Sequence, residues 1–108
     1  MKEIELYSKS IFENIKHVDE KDVEYWEARE LQNILGYKEW RYFSAVLEKA
    51  QIACSQSNNN INSHFGVNTK IVNAGATSKP IIDYKLSRYA CYLIVQNGDS
   101  RKESIALG

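Results

Sequence analysis

Asp83 and Lys85, in the run Ile82-Asp83-Tyr84-Lys85, have the acidic-x-Lys form found in one half of a metal-dependent nuclease site. Two residues apart on a strand, they share one face. Such a site also needs an upstream carboxylate beside Asp83 to hold Mg²⁺. The sequence shows no strand-borne partner for it, so a cross-strand surface pair is the simpler account. Cys54 and His64 have the types of a nucleophile and its base, but nothing nearby orients the imidazole, and Cys54 lies toward the apolar side of its helix. Two histidines and two cysteines at scattered spacing match no zinc pattern, and no Gly-rich phosphate loop is present. The expectation is a protein with no catalytic residue, no cofactor and no metal.

Binding chemistry is better represented. Lys38 and Arg41 flank the start of a helix, where phosphate oxygens or base edges are met. When Trp40, Phe43, Leu47 and Ala50 face the core, Arg41, Tyr42, Ala45, Glu48 and Lys49 fall on other sides. Lys70, Lys79 and Lys85 lie on or beside two strands that antiparallel pairing brings together, with Arg88 just beyond. Asn68, Asn73, Thr77 and Ser78 add hydrogen-bonding side chains to that hairpin. The aromatic set Tyr37, Trp40, Tyr42, Tyr84, Tyr89 and Tyr92 suits base stacking wherever it is exposed beside cations, and otherwise belongs to the core. Each of these patterns also fits an ordinary solvated face.

The overall charge is zero, which gives no hint of a nucleic-acid partner, but its distribution is uneven. Residues 1–30 hold nine carboxylates against five cations, so the rest of the chain carries a matching excess of four positive charges. That split permits a basic face on the later elements. At 108 residues, 44% apolar and 26% charged, the chain has the profile of one soluble globular domain. Its longest purely apolar run, Tyr89 to Val95, is seven residues, where a membrane span needs about twenty. The N-terminus alternates charged and apolar residues rather than building a signal peptide. Cys54 and Cys91 read as reduced core thiols and the location as cytoplasmic.

The elements that would position these residues follow from spacing and punctuation. Ser10-Ile11-Phe12-Glu13 has the form of a capping box, opening a helix that ends near His17. Val18 to Val23 is a polar turn leading into Glu24-Tyr25-Trp26, a small hairpin anchored by Trp26. Glu27 to Leu35 reads as a helix with Ala28, Leu31, Ile34 and Leu35 on one side, stopped by Gly36. A longer helix follows, with Trp40, Phe43, Val46, Leu47, Ala50 and Ala53 at three and four spacing, fading in the tract from Ser55 to Asn60. Together these two make a helix-turn-helix candidate. Strands at Phe65 to Val72 and Ile81 to Leu86 flank a flexible tip over Asn73 to Pro80, and Ser87 caps a last helix ended by Asn97-Gly98. Ser100-Arg101-Lys102-Glu103 is a further capping box just before the chain stops, the expected mark of an N-terminal domain taken from a longer protein.

Three stretches carry a family resemblance: Tyr25 to Leu31, Leu35 to Phe43, and above all Asp83-Tyr84-Lys85-Leu86-Ser87-Arg88-Tyr89-Ala90-Cys91-Tyr92-Leu93-Ile94-Val95-Gln96-Asn97-Gly98-Asp99. Together they resemble the DNA-damage-inducible protein D family, whose N-terminal region is similar to the Bro-N domain of phage antirepressors. The elements read from the spacing make one α+β domain over residues 1–108, with helix-turn-helix-like helices and two short antiparallel hairpins, and this resembles that N-terminal module. The resemblance implies DNA binding without catalysis in a bacterial damage response of SOS type. Lys38, Arg41, Tyr42, Lys49, Lys70, Lys79, Lys85 and Arg88 are the expected DNA contacts, on duplex or single strands. The competing expectation is an antirepressor-like interaction module acting on a regulatory or DNA-repair protein. Homo-oligomerisation stays open.

Overall fold

The structure, a computed structural model, describes residues 12–98. Residues 12–15 are helical and lead into a tight antiparallel hairpin of β1 (His17–Val18) and β2 (Glu24–Glu27). Asp19 closes the turn by accepting the backbone N–H of Lys21 at 2.8 Å and of Val23 at 3.0 Å, and Asp22 takes the left-handed conformation at φ +66°. These hydrogen bonds favour the ionised Asp19 carboxylate, led by the one from Val23, and lower its pKa. His17 is thus a strand residue, and the first helix ends two residues before it. The Ser10 end of its capping box, like the box at Ser100, lies outside the described residues.

Strand β2 runs directly into helix α1 (Ala28–Ile34). No side chain at Glu27 caps α1. Instead, Asp83, distant in sequence, accepts the Arg29 backbone N–H at 3.0 Å. Helix α1 stops where Gly36 turns left-handed at φ +83°, a conformation costing a Cβ-bearing residue about 1–2 kcal/mol. Helix α2 (Trp40–Gln56) buries Phe43, Val46, Leu47, Ala50 and Cys54 along one stripe. A single-turn helix, α3 (Ile61–His64), capped by the Asn60 side chain, precedes strands β3 (Phe65–Ala74) and β4 (Thr77–Leu86). Ser87 caps helix α4 (Arg88–Gln96) by accepting the Ala90 N–H at 3.0 Å. Asn97 then donates its side-chain amide to the Leu93 carbonyl at 2.8 Å.

The four strands form one antiparallel sheet in the order β1-β2-β4-β3. The two hairpins therefore merge through Trp26 opposite Leu86 and Glu27 opposite Lys85. Trp26, Leu86 and Phe65 occupy neighbouring register positions on one sheet face, fully or almost fully buried, with α2 and α4 packed on each other above them. The Trp26 indole N–H donates to the Phe12 carbonyl at 2.8 Å, tying the first helical turn to the core. The architecture is α+β.

The second hairpin differs from its expected form. Its strands run on into the expected tip: ten residues in each strand pair from Phe65 opposite Leu86 out to Ala74 opposite Thr77. Only Gly75 and Ala76 form the loop, with Gly75 at φ +72°, the sign a two-residue hairpin of type II′ needs at that place. Pro80 sits within β4 where the described residues place β3 on one side and no strand on the other, an edge situation that tolerates proline. Ile34, expected on the buried side of α1, is exposed, whereas Gln32 is buried and donates its amide to the Tyr37 carbonyl at 3.0 Å. Helices α1 and α2 do follow one another through the Gly36 turn, but α2 packs mainly on α4. Among the described residues no helix is long and apolar enough to cross a membrane.

Candidate nucleic-acid interface

The start of α2 is held by a stack of three groups. The Arg29 guanidinium lies 3.7 Å from the Trp40 ring centre and donates through Nε to the Ile82 carbonyl at 2.9 Å. Trp40 in turn stacks on Tyr84 at 6.5 Å between centroids. These contacts fix the first turn of α2 against β4, and they cross three elements that spacing alone does not connect. Beside them Lys38, Arg41 and Tyr42 are exposed. Arg41 covers the Tyr42 ring at 4.8 Å and donates to its hydroxyl at 3.0 Å, with Glu39 at 3.4 Å. An exposed ion pair of that length is worth little, so a phosphate competes for the guanidinium easily. The 17-residue α2 has no side-chain cap hydrogen bond and no acidic residue in its first turn, and the carboxylate of its N-cap residue, Glu39, is turned to Arg41. Lys49, two turns beyond Tyr42, is exposed on the same stripe.

The other expected contacts fall into two groups. Lys79, near the tip of the β3–β4 ribbon, and Lys85, near its base, are exposed. The Lys85 ammonium lies 4.7 Å from the centre of the Tyr25 ring, whose plane stacks on His17 at 5.3 Å. The groove beside it, lined by Tyr25, Asn62, Ser63, Lys85 and Ser87 among others, holds about 240 Å³. That is below the roughly 300–1,000 Å³ of enclosing small-molecule sites. Lys70 and Arg88, by contrast, already hold carboxylates. Lys70 donates to Glu27 at 3.0 Å, a bond that raises its pKa, and lies 4.0 Å from Asp83. Arg88 grips Glu24 with two nitrogens at 2.8 and 2.9 Å and reaches Glu13 at 3.2 Å. These bonds, led by those to Glu24, raise the Arg88 pKa still further.

The residues that suggested catalysis take up structural tasks. Asp83 is fully buried, and its Oδ1 accepts from Arg29 and from the Tyr84 N–H at 2.8 Å, while Lys85 turns to Tyr25. A carboxylate does lie near Asp83, namely Glu27, but the Lys70 ammonium sits between them. No local pattern marks that proximity, since β2 and β4 are far apart in sequence. Cys54 and His64 have separate partners. The thiol faces the Asn59 carbonyl at 3.9 Å, whereas His64 Nδ1 lies 2.6 Å from Ser87 Oγ. Cys54 and Cys91 are both free and buried, and burial pushes both thiols above their ordinary range. Of the aromatic set, Tyr42 and Tyr92 are exposed, Tyr37 is buried, and Trp40, Tyr84 and Tyr89 are half-buried against the core.

A small α+β domain with a long ribbon beside an exposed basic helix start is what the BRO family N-terminal domain, Bro-N, presents in this chain, whose residues 14–107 match that family. The chain belongs to the Bro-N family. It is 46% identical over 98 residues to DNA damage-inducible protein D of Escherichia coli (strain K12), a match covering 90% of this chain and 36% of that protein. The chain thus spans little more than a third of the length of this relative. No solved structure matches it.

Proposed function

We propose that this domain binds DNA, without catalysis, as a module of a bacterial DNA-damage-response protein. The observation that carries the reading is the cluster at the start of α2: exposed Lys38 and Arg41, Arg41 stacked on exposed Tyr42, and a helix end whose backbone N–H groups no side chain caps. Lys49 extends this cluster along α2, and Lys79 and Lys85 supply further phosphate contacts from the ribbon. Lys70 and Arg88 contribute less, because neighbouring carboxylates already balance their charge. The name of the E. coli relative supplies the damage-response context.

Fluorescence anisotropy with labelled duplex and single-stranded DNA at several salt concentrations tests the reading. The Lys38→Ala/Arg41→Ala double variant is expected to bind every sequence more weakly, with a logarithmic salt slope on duplex shallower by about two. A folded double variant with unchanged affinity and slope removes α2 from the interface. Cleavage of the DNA in a magnesium-containing sample would overturn the non-catalytic reading and point back to Asp83 and Lys85.

One observation favours a second reading, a module that docks on a regulatory or DNA-repair protein. Val67 and Ile71 are 71% and 65% exposed, and with Ile82 they make an apolar face along the ribbon. A protein retained by the immobilised domain after nuclease treatment, and lost on Ile71→Lys, supports that reading.

A further inference from the structure

On the sheet face opposite the core, three groups from three segments converge: His17 of β1, Glu27 at the end of β2 and Glu30 in α1. One ligand atom from each lies within 4.8 Å of the other two, and His17 Nε2 is 2.5 Å from Glu30 Oε1. The backbone fixes this arrangement. Register pairing and ring stacking hold His17 against Tyr25, and β2 runs into α1 without a loop, which sets Glu27 and Glu30 one turn apart. One imidazole nitrogen and two carboxylate oxygens are a donor set for Zn²⁺ or Mn²⁺.

A second observation comes from the buried Asp83. Among the described residues its Oδ2 has no hydrogen-bond partner and faces the Lys70 ammonium at 4.0 Å, beyond hydrogen-bonding range. Lys70 is drawn instead to Glu27 at 3.0 Å, so one cation is shared between two carboxylates and the buried one is left incompletely served. Positive charge is in short supply at this place.

We propose that His17, Glu27 and Glu30 bind one divalent transition-metal ion, and that Lys70 stands in for that ion, leaving Glu27 for Asp83 Oδ2 when the ion binds. The ion then supplies the charge that Glu27 loses, and the ammonium moves in to hydrogen-bond the buried carboxylate. Metal at this position ties β1, β2 and α1 together. The site is distinct from the exposed cations at the start of α2, and the proposal does not depend on DNA binding.

The test uses the whole chain, freed of metal with a chelator and titrated with ZnCl₂ and MnCl₂ by calorimetry, with Mn²⁺ broadening of the two histidine ring signals followed by NMR. The expected result is one ion per chain, with binding weakened about tenfold or more by His17→Ala and by Glu30→Gln. Glu48→Gln, on the exposed side of α2, leaves binding unchanged. Lys70→Met, which removes the competing cation, tightens it. Mn²⁺, added well below one equivalent, broadens His17 far more than His64, which makes no part of the donor set and is held by Ser87. Absence of saturable binding, binding that survives His17→Ala, or equal broadening of both histidines overturns the proposal. Because the broadening is read on the folded wild-type chain, an unfolded variant does not remove the test.

Discussion

Arg88 joins three parts of the molecule through one guanidinium. It holds Glu24 of β2 with two nitrogens, reaches Glu13 in the first helical turn, and lies 5.1 Å from the ring centre of Trp26. Glu24 is drawn below its ordinary pKa chiefly by Arg88, and Glu13 by Lys16 first and Arg88 second. A carboxylate with a depressed folded pKa stabilises the fold above its unfolded value and loses that contribution as pH falls through the folded value. The window therefore opens below the ordinary glutamate value of 4.5 and extends downward. Arg88→Met, which keeps the stem over Trp26, is expected to lower the melting temperature at neutral pH. It should also flatten the acid limb without abolishing it, because Lys16 still acts on Glu13. Thermal melts of both proteins across the acid range check this, and parallel acid limbs would show that the Arg88 bridges carry no linkage.

At the scale of elements, several helix boundaries are set by single residues. Ser87→Ala removes the side-chain cap of α4 and a partner of His64, and is expected to cost about 1 kcal/mol. Among the described residues Gly36→Ala brings its Cβ within 4 Å of no neighbour, and the left-handed conformation sets an expected cost of about 1–2 kcal/mol. Chemical denaturation measures both. These caps were legible in the sequence because they act over three or four residues, as was the apolar stripe of α2. The β2–β4 junction was not, since only Trp26 and Glu27 pair with β4 and nothing local announces it. The four-residue α3 is too short to show a period, and its start follows Asn58, a non-glycine residue at φ +62°. The outer half of the ribbon looked like a loop because Gly75 and Pro80 punctuate it, whereas the long strand pairing absorbs both. The same limit applies to the sites. Lys38, Arg41 and Tyr42 are neighbours in the chain and can be grouped from the sequence, while the His17, Glu27, Glu30, Lys70 and Asp83 cluster exists only through the sheet.

For the molecule as a whole, the ribbon accounts for an elongated outline, 47 Å in its longest dimension against 26 Å in its shortest. Beyond Asp83 its two strands bond to each other and carry exposed side chains on both faces. Amides of residues 70–80 are therefore expected to exchange hydrogen much faster than those of Phe43 to Cys54 or Ala90 to Ile94, which hydrogen-exchange mass spectrometry would read. Equal protection would mean that the ribbon is covered in solution by another chain. The sheet order has a further consequence during synthesis. Trp26 finds its strand partner, Leu86, about sixty residues later, and Asp83 caps α1 only when it too has been made. At roughly 5–20 residues per second, the first hairpin and α1 wait several seconds on the ribosome without the strand that completes them. Until then the indole of Trp26 lacks its lid, and the nascent chain is at its most exposed to chaperones and to misassociation.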